Sequence, residues 1–426
     1  MPIRKTAATF AAPMALALMI AACGSSEVPA EEQAAAQAPE PDDNGADSMR
    51  SRDGEAASGE TIPDSEERPI MQAQVILDRL GFSPGVIDGK MGMSTSNALE
   101  AFQKARDLSE TGKFDDATRD ALLGSVAPSV DPSDAGANRE GAIPPPMPPS
   151  GPPIPQPVPA TRIVTIPEEF AIGRYESLPE DPAKQAERSQ LGYETLEEKL
   201  AERFHTTVET LRMLNPGGVP AGSTSSGESE GAQASSDDEK AATGSENQFR
   251  AGQKIRVPNI GADYIDASAD IDSEWRSTLR NLGVGSDQPQ AARIVVDKSE
   301  STLLAYDEND RIIGAFTVTS GSSHDPLPIG EWDITGIARN PPFSYDPSLF
   351  WDVPDDQESQ QLPPGPNGPV GVVWIDLSKE HYGIHGTSAP ETIGRAQSHG
   401  CVRLTNWDAA RLAQMVSQST EVIFQR

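Results

Sequence analysis

Residues 383–404 hold the side chains best suited to covalent chemistry. Cys401 is one of only two cysteines in 426 residues, and His385 and His399 lie in the same stretch, each beside a glycine. A thiol near an imidazole can ionise to a thiolate, which is the form that attacks a carbonyl carbon. Glycines allow tight bends and a close approach of the backbone to a substrate. The stretch therefore predicts the active site of a cysteine acyl-transfer enzyme.

Either histidine could serve as the base. His399 is two residues from Cys401, which places both side chains on one face if the segment is extended. His385 ends a short apolar run that could present it from the edge of a strand. Backbone N–H groups around His399, Gly400 and Cys401 are candidates for an oxyanion hole. Arg403 could bind a substrate carboxylate or pair with a nearby acid, so the residues alone leave these roles open.

Two other interpretations of these side chains are weaker. A lone cysteine is usually a buried packing residue, but the neighbouring His, Gly and Ser residues are poor core material. Structural zinc needs close pairs of ligands. The short spacings here are His399-x-Cys401 and His381-x-x-x-His385, with His324 further away, and half-buried histidines are common. We expect neither a metal nor a cofactor.

The surrounding sequence predicts a mostly-β domain over residues 292–426. The β-type runs are Ile294–Asp297, Thr302–Tyr306, Ile312–Thr319, Glu331–Thr335, Val372–Leu377 and Val422–Phe424. Asn406 is predicted to cap a helix that runs through Val416. The acidic, proline-rich stretch 352–369 is predicted to form a long surface loop near the site.

HGT at residues 385–387 and SHGCVRL at 398–404 together resemble the signature of L,D-transpeptidases of the YkuD type. The matching residues are Gly383, His385, Gly386, Thr387, Ser398, His399, Gly400, Cys401 and Arg403, with the upstream segment Pro328–Trp332. The resemblance implies that Cys401 is the nucleophile and His385 its base. It also implies that His399 and Gly400 support the oxyanion, while Ser398, Gly386, Thr387 and Arg403 shape the site and bind substrate.

The same resemblance implies a substrate and a reaction. Cys401 would attack the L,D-peptide bond of a peptidoglycan tetrapeptide stem, release D-Ala and form a thioester. An amine from another stem, a D-amino acid or a protein lysine would then take the acyl group. The alternatives are an L,D-carboxypeptidase or endopeptidase, in which water completes the reaction, and a non-catalytic murein-binding lipoprotein.

The N-terminus carries a predicted export and anchoring signal. Arg4 and Lys5 precede an apolar run that ends at Cys23, and the run is too short for a stable transmembrane span. Residues 1–22 resemble a bacterial lipoprotein signal peptide, which implies lipidation of Cys23. Gly24 resembles the outer-membrane sorting class, so the expected location is the periplasm of a Gram-negative bacterium, with the membrane as partner through the lipid.

The segments between anchor and catalytic domain alternate in composition. Residues 23–68 are poor in large apolar side chains and predict a disordered tether. Residues 69–124 show helical spacing, with Ser94 or Thr95 and then Asp115 as predicted caps. This part resembles the three-helix peptidoglycan-binding domain. Residues 125–162 form a proline-rich linker that favours polyproline II.

Residues 163–260 resemble a LysM module, which binds glycan chains. The similar parts are LAERFHTTVETLRMLNPG and FRAGQKIRVPN. A predicted disordered insertion at 219–247 separates them, and IVTIP at 163–167 is a substitute for the usual first strand. Glycan binding and a packing role beside the catalytic domain both remain open at this stage.

The whole sequence therefore predicts a multidomain α+β protein: a small three-helix domain, a LysM-like α/β module and a mostly-β L,D-transpeptidase catalytic domain. The net charge of −31 argues against a nucleic-acid partner, because phosphates would be repelled. Peptidoglycan stems and glycan are the expected partners, and the sequence does not identify any protein acceptor.

Overall fold

The computed structural model describes residues 62–125, 158–223, 248–261, 264–349 and 358–426. The predictions for the signal peptide, Cys23, most of the tether, nearly all of the proline-rich linker and most of the insertion concern residues outside these ranges. Within them, no helix combines the length and the apolar character needed to cross a membrane.

The first described segment is a small helical bundle. Its helices are α1 (Pro69–Arg79), α2 (Met93–Ala105) and α3 (Asp116–Ser125). Asp115 caps α3 as predicted, since its Oδ1 accepts the Thr118 N–H at 2.9 Å. The predicted cap of α2 is wrong, because the helix already begins after Gly92. Thr95 lies inside it and instead accepts a hydrogen bond from the buried Gln74 amide at 3.0 Å.

The second segment contains two paired strands and two main helices. Its elements are β1 (Thr161–Thr165), α4 (Glu168–Ala171), α5 (Pro182–Ala186), α6 (Leu196–Arg203), α7 (Val208–Leu214) and β2 (Lys254–Pro258). β1 and β2 are antiparallel. Thr195 and Thr207 cap α6 and α7 through their hydroxyls. Leu200, Phe204 and Leu211 pack with residues of β2 in one core.

The third segment is the mostly-β domain that was predicted, preceded by a helix that was not. The first elements are α8 (Ser273–Leu282), β3 (Arg293–Asp297), β4 (Thr302–Tyr306), β5 (Ile312–Thr317), β6 (Thr319–Ser320), β7 (Gly330–Trp332) and β8 (Ile334–Arg339). The remaining ones are β9 (Phe343–Tyr345), β10 (Gln360–Leu362), β11 (Val373–Leu377), β12 (Gly383–His385), β13 (Val402–Arg403), α9 (Asn406–Met415) and β14 (Glu421–Gln425).

Two five-stranded sheets form this domain. Their strand orders are β5-β4-β3-β14-β7 and β6-β13-β12-β11-β8. Apolar side chains of both sheets, of α8 and of α9 share one core, with Trp275 and Trp407 among its largest members. The multidomain α+β class is thus confirmed. Of the predicted loop 352–369, residues 352–357 lie outside the described ranges, and the remainder contains β10, which pairs antiparallel with β9.

Helix α9 begins differently from the prediction. Its N-cap is Thr405, whose hydroxyl accepts the Asp408 N–H at 3.1 Å. Asn406 is the first helical residue, and its fully buried amide is used in tertiary contacts. The amide reaches the second segment, which a capping side chain folded back on its own helix would not do.

A buried polar network joins the three segments. The carboxylate of Asp78 in α1 contacts His205 Nδ1 at 3.1 Å and Arg411 Nη2 at 3.3 Å. His205 also stacks on Trp407 with ring centroids 5.1 Å apart. Residues 163–260 therefore do pack against the catalytic domain, as one of the two interpretations required. Their likeness to LysM and their glycan binding stay predictions.

Candidate active site

The register of two parallel strands brings the key side chains together. In β12 and β13, Ile384 pairs with Val402 and His385 pairs with Arg403. The same register places Cys401 opposite Gly383, one residue before β13 begins. Because side chains alternate along a strand, Cys401 and Arg403 share a face with His385. Of the two histidines left open by the sequence, His385 lies on the neighbouring strand and His399 in the turn before Cys401.

Cys401 is half-buried and its thiol is held by the backbone. Sγ donates a hydrogen bond to the His381 carbonyl at 3.7 Å. Burial raises the pKa of the Cys401 thiol above its ordinary value, and the Gly383 N–H and the Arg403 charge oppose this shift. In the resting site the group is therefore a thiol rather than a preformed thiolate.

His385 is buried and neutral. Burial lowers its pKa to about 4, the nearby Arg403 charge acts in the same direction, and the hydrogen bond to Gly386 opposes both. Nδ1 lies 2.7 Å from the Gly386 carbonyl oxygen. Since a carbonyl can only accept, Nδ1 carries the proton and Nε2 keeps its lone pair. The ring is thus in the state required of a general base.

Trp374 orients this imidazole and was not identified from the sequence. It pairs with His385 across β11 and β12, and the two rings stack with centroids 5.5 Å apart. The indole also covers Gly383, where a Cβ would stand only 2.5 Å from Cζ2. A signal was present, because Trp374 alternates with Val373 and Ile375 in a predicted strand, which directs it to the opposite face.

The turn before Cys401 is closed by Ser398. Its hydroxyl donates to the Cys401 carbonyl at 2.6 Å and accepts the Gly321 N–H at 2.6 Å. Gly400 has φ of +105°, which favours glycine. The Tyr382 ring lies over it, so that a Cβ there would be 2.5 Å from Cε1. Ser398 and Gly400 thus shape the turn that presents the thiol.

The remaining predicted residues lie around this centre. His399 is half-buried in the same turn. The Thr387 hydroxyl accepts the Ala389 N–H at 3.3 Å, and Gly386 supplies the carbonyl that holds His385. Tyr382 was also missed by sequence reasoning. Burial, and after it the neighbouring groups of Asp325 and Cys401, raise the pKa of the Tyr382 phenol. The oxyanion role of His399 and Gly400 stays a prediction.

A thiol in a glycine-lined turn, on the same sheet face as a neutral imidazole, can perform nucleophilic acyl transfer with the imidazole as base. This defines a class of site rather than a substrate.

Comparison with known proteins gives the family. Residues 291–424 match the YkuD family, described as the L,D-transpeptidase catalytic domain. Residues 67–122 match a family described as a peptidoglycan binding domain.

Several relatives carry the name L,D-transpeptidase. One from Fuscovulum blasticum is 30% identical over 182 residues, which cover 40% of this chain and 89% of the relative. YkuD of Bacillus licheniformis is 35% identical over 130 residues, covering 30% and 63%. YbiS of Escherichia coli is 43% identical over 135 residues, covering 31% and 44%. The chain belongs to the L,D-transpeptidase family, and it spans less than two thirds of the length of the Bacillus YkuD relatives.

Proposed function

We propose that this protein is a peptidoglycan L,D-transpeptidase that works through a cysteine thioester. The observation that carries the proposal is the strand register that sets Cys401 and the neutral His385 on one face. Family membership and the match of residues 67–122 to a peptidoglycan-binding family support the choice of substrate.

The reaction begins with movement of one proton. The thiol turns from the His381 carbonyl to His385 Nε2, which takes its proton as sulfur attacks the carbonyl of the third stem residue. The C–N bond to D-Ala breaks, and the D-Ala amine leaves with the proton from His385. The resulting thioester on Cys401 is attacked by an amine, whose proton passes to His385 and then to the released sulfur.

The high thiol pKa gives His385 its role in this sequence. A group that remains protonated at neutral pH is a poor nucleophile, so proton removal has to accompany attack. The Nδ1 hydrogen bond to Gly386 and the stack on Trp374 fix the ring while its charge changes. The thiol and the imidazole base therefore act together, and they react once the substrate carbonyl is bound next to the sulfur.

The test is the mass of the products formed from purified disaccharide-tetrapeptide, with and without D-methionine. Transfer to an amine gives 3–3 cross-linked dimers or the D-methionine-exchanged tetrapeptide, and transfer to water gives the tripeptide alone. We expect amine products that disappear in Cys401→Ala. Tripeptide as the only product would replace the transferase proposal with an L,D-carboxypeptidase, and unchanged substrate would refute both.

We further propose that the chain is a lipoprotein of the outer membrane, anchored through Cys23. The supporting observation is the position of Cys23 at the end of an apolar run that follows two basic residues. Labelling of cells with a palmitate analogue should mark the wild-type protein in the outer-membrane fraction. Cys23→Ser should be unlabelled. Equal labelling of both would refute the anchor.

A further inference from the structure

The amide of Asn406 is packed between two glycines of the catalytic domain. Its Oδ1 accepts the Val372 N–H at 3.2 Å, and its Nδ2 donates to the Pro366 carbonyl at 3.0 Å. A Cβ on Gly371 would stand 3.0 Å from Asn406 Cγ, and one on Gly386 would stand 3.3 Å from the same atom. The amide therefore sets the position of the backbone at both glycines.

Gly386 is the residue whose carbonyl holds the imidazole of His385. The distance from His385 Nδ1 to that oxygen is 2.7 Å. A displacement of the peptide at Gly386 would move this acceptor and with it the direction of the Nε2 lone pair. The position of Asn406 is thus linked to the orientation of the base through a single intervening residue.

Asn406 is itself held from outside the catalytic domain. Its Nδ2 also donates to Glu202 Oε1 at 2.8 Å. Glu202 lies in α6, and its side chain is buried beside Tyr193. The same helix supplies Glu198, which accepts from the Asn367 amide at 2.7 Å. Helix α6 therefore fixes both the Asn406 amide and the loop that contains Pro366.

We propose that Glu202 is a positioning residue for the reaction, acting on His385 through Asn406 and Gly386. This inference rests on the proposed role of His385 as the base. It assigns residues 163–260 a part in catalysis that does not depend on glycan binding. Glu202 does not touch the reacting atoms, so its loss should lower kcat and leave KM unchanged.

The variants separate geometry from charge and from general stability. Burial raises the pKa of Glu202 to about 7, so its carboxyl can be neutral or charged near neutral pH. Glu202→Gln keeps an oxygen acceptor for Asn406 and cannot ionise. Glu202→Asp keeps a carboxyl group but withdraws its oxygens by one methylene, and Glu202→Leu removes the acceptor. Glu197→Leu is the control, because Glu197 is an equally buried glutamate of α6 whose partners are Arg212 and the Gln248 N–H.

All variants are assayed as full chains, below their unfolding temperatures, with disaccharide-tetrapeptide and D-methionine. We expect kcat to fall between about 10- and 100-fold in Glu202→Leu and Glu202→Asp. KM should stay within about twofold, because substrate-binding contacts are left in place. Glu202→Gln should retain wild-type kcat, and Glu197→Leu should do so even if it unfolds more easily.

The second measurement is the pKa of His385, which is determined from its ring resonances in an NMR titration. The Gly386 hydrogen bond raises this pKa, so its loosening in Glu202→Leu should lower the pKa below the wild-type value of about 4. An unchanged pKa together with unchanged kcat would overturn the inference. If the wild type transfers no acyl group, the proposed function fails, and the His385 pKa still decides whether Glu202 positions the ring.

Discussion

Arg403 lies directly opposite His385 across the parallel strands β12 and β13, and its positive charge acts on both groups of the site. It lowers the pKa of His385 by opposing a second positive charge. It also opposes the rise that burial causes in the pKa of Cys401. One side chain thus favours a neutral base and a more readily ionised thiol.

The protonation states predict the pH dependence of thiol reactivity. With Cys23 replaced by serine, Cys401 is the only thiol, and iodoacetamide reports its ionisation. The thiol pKa is raised, so the alkylation rate should rise roughly tenfold per pH unit between pH 6 and 8. A rate that is flat over this range would show a preformed thiolate–imidazolium pair and contradict the resting state described above.

Removal of the Arg403 charge should move both pKa values upwards. In Arg403→Gln the pKa of His385 should rise from about 4 towards 6.5, because one of the two effects that lower it is lost. The pKa of Cys401 should rise further, since an opposing effect is lost. NMR titration of His385 and the alkylation profile measure these shifts. Arg395→Gln, an exposed arginine in the segment between His385 and Cys401, should leave both unchanged.

Gly383 should tolerate no side chain. Gly383→Ala would push the added methyl into the Trp374 indole and break its stack on His385. We expect kcat/KM to fall between about 10- and 100-fold and stability to fall by about 1–3 kcal/mol. The matched control is Gly336→Ala in β8 of the same sheet, where an added Cβ meets no atom within 4 Å. Similar losses in both variants would refute the role assigned to Trp374.

The buried network predicts that the three segments unfold together. In Asp78→Asn, His205 and Arg411 lose the carboxylate that both contact. Breaking a buried ion pair in this way should cost about 3–5 kcal/mol. Asp120→Asn removes an exposed partner of Arg119 and should cost less than about 1 kcal/mol. Urea unfolding with probes in α1 and in the catalytic domain should show one shifted transition, and two separate transitions would contradict the account.

Much of the fold follows from local sequence signals. The strands β3, β4, β5, β11 and β14 were predicted within a few residues because apolar and β-branched runs are bounded by turn residues. The single strand predicted at Glu331–Thr335 is wrong, since this run is divided between β7 and β8, and β9 and β10 were not predicted. Helix α8 was missed, although Asp272 caps it, Trp275, Leu279 and Leu282 form its buried face, and Gly283 ends it. Ten residues are short for an isolated helix, so α8 depends on packing its buried face into the core of the catalytic domain.

The contacts across segments could not be predicted in the same way. By residue type alone, Asn406 is typical of a helix N-cap and Glu202 is typical of a solvent-exposed helix position. Their hydrogen bond spans 204 residues and depends on how α6 docks against the catalytic domain. The family resemblance favours His385 over His399 as the base. The parallel register of β12 and β13 places His385 opposite Arg403, and the role of base stays a proposal.

The central claim is that Cys401 forms a covalent thioester with the stem peptide. The most direct test is the intact mass of the full chain after brief acid quenching with disaccharide-tetrapeptide. We expect an adduct equal to the donor minus D-Ala, located on the peptide that contains Cys401, released by hydroxylamine and absent in Cys401→Ala. Product formation by the wild type without such an adduct, or an adduct of the same mass in Cys401→Ala, would contradict the account.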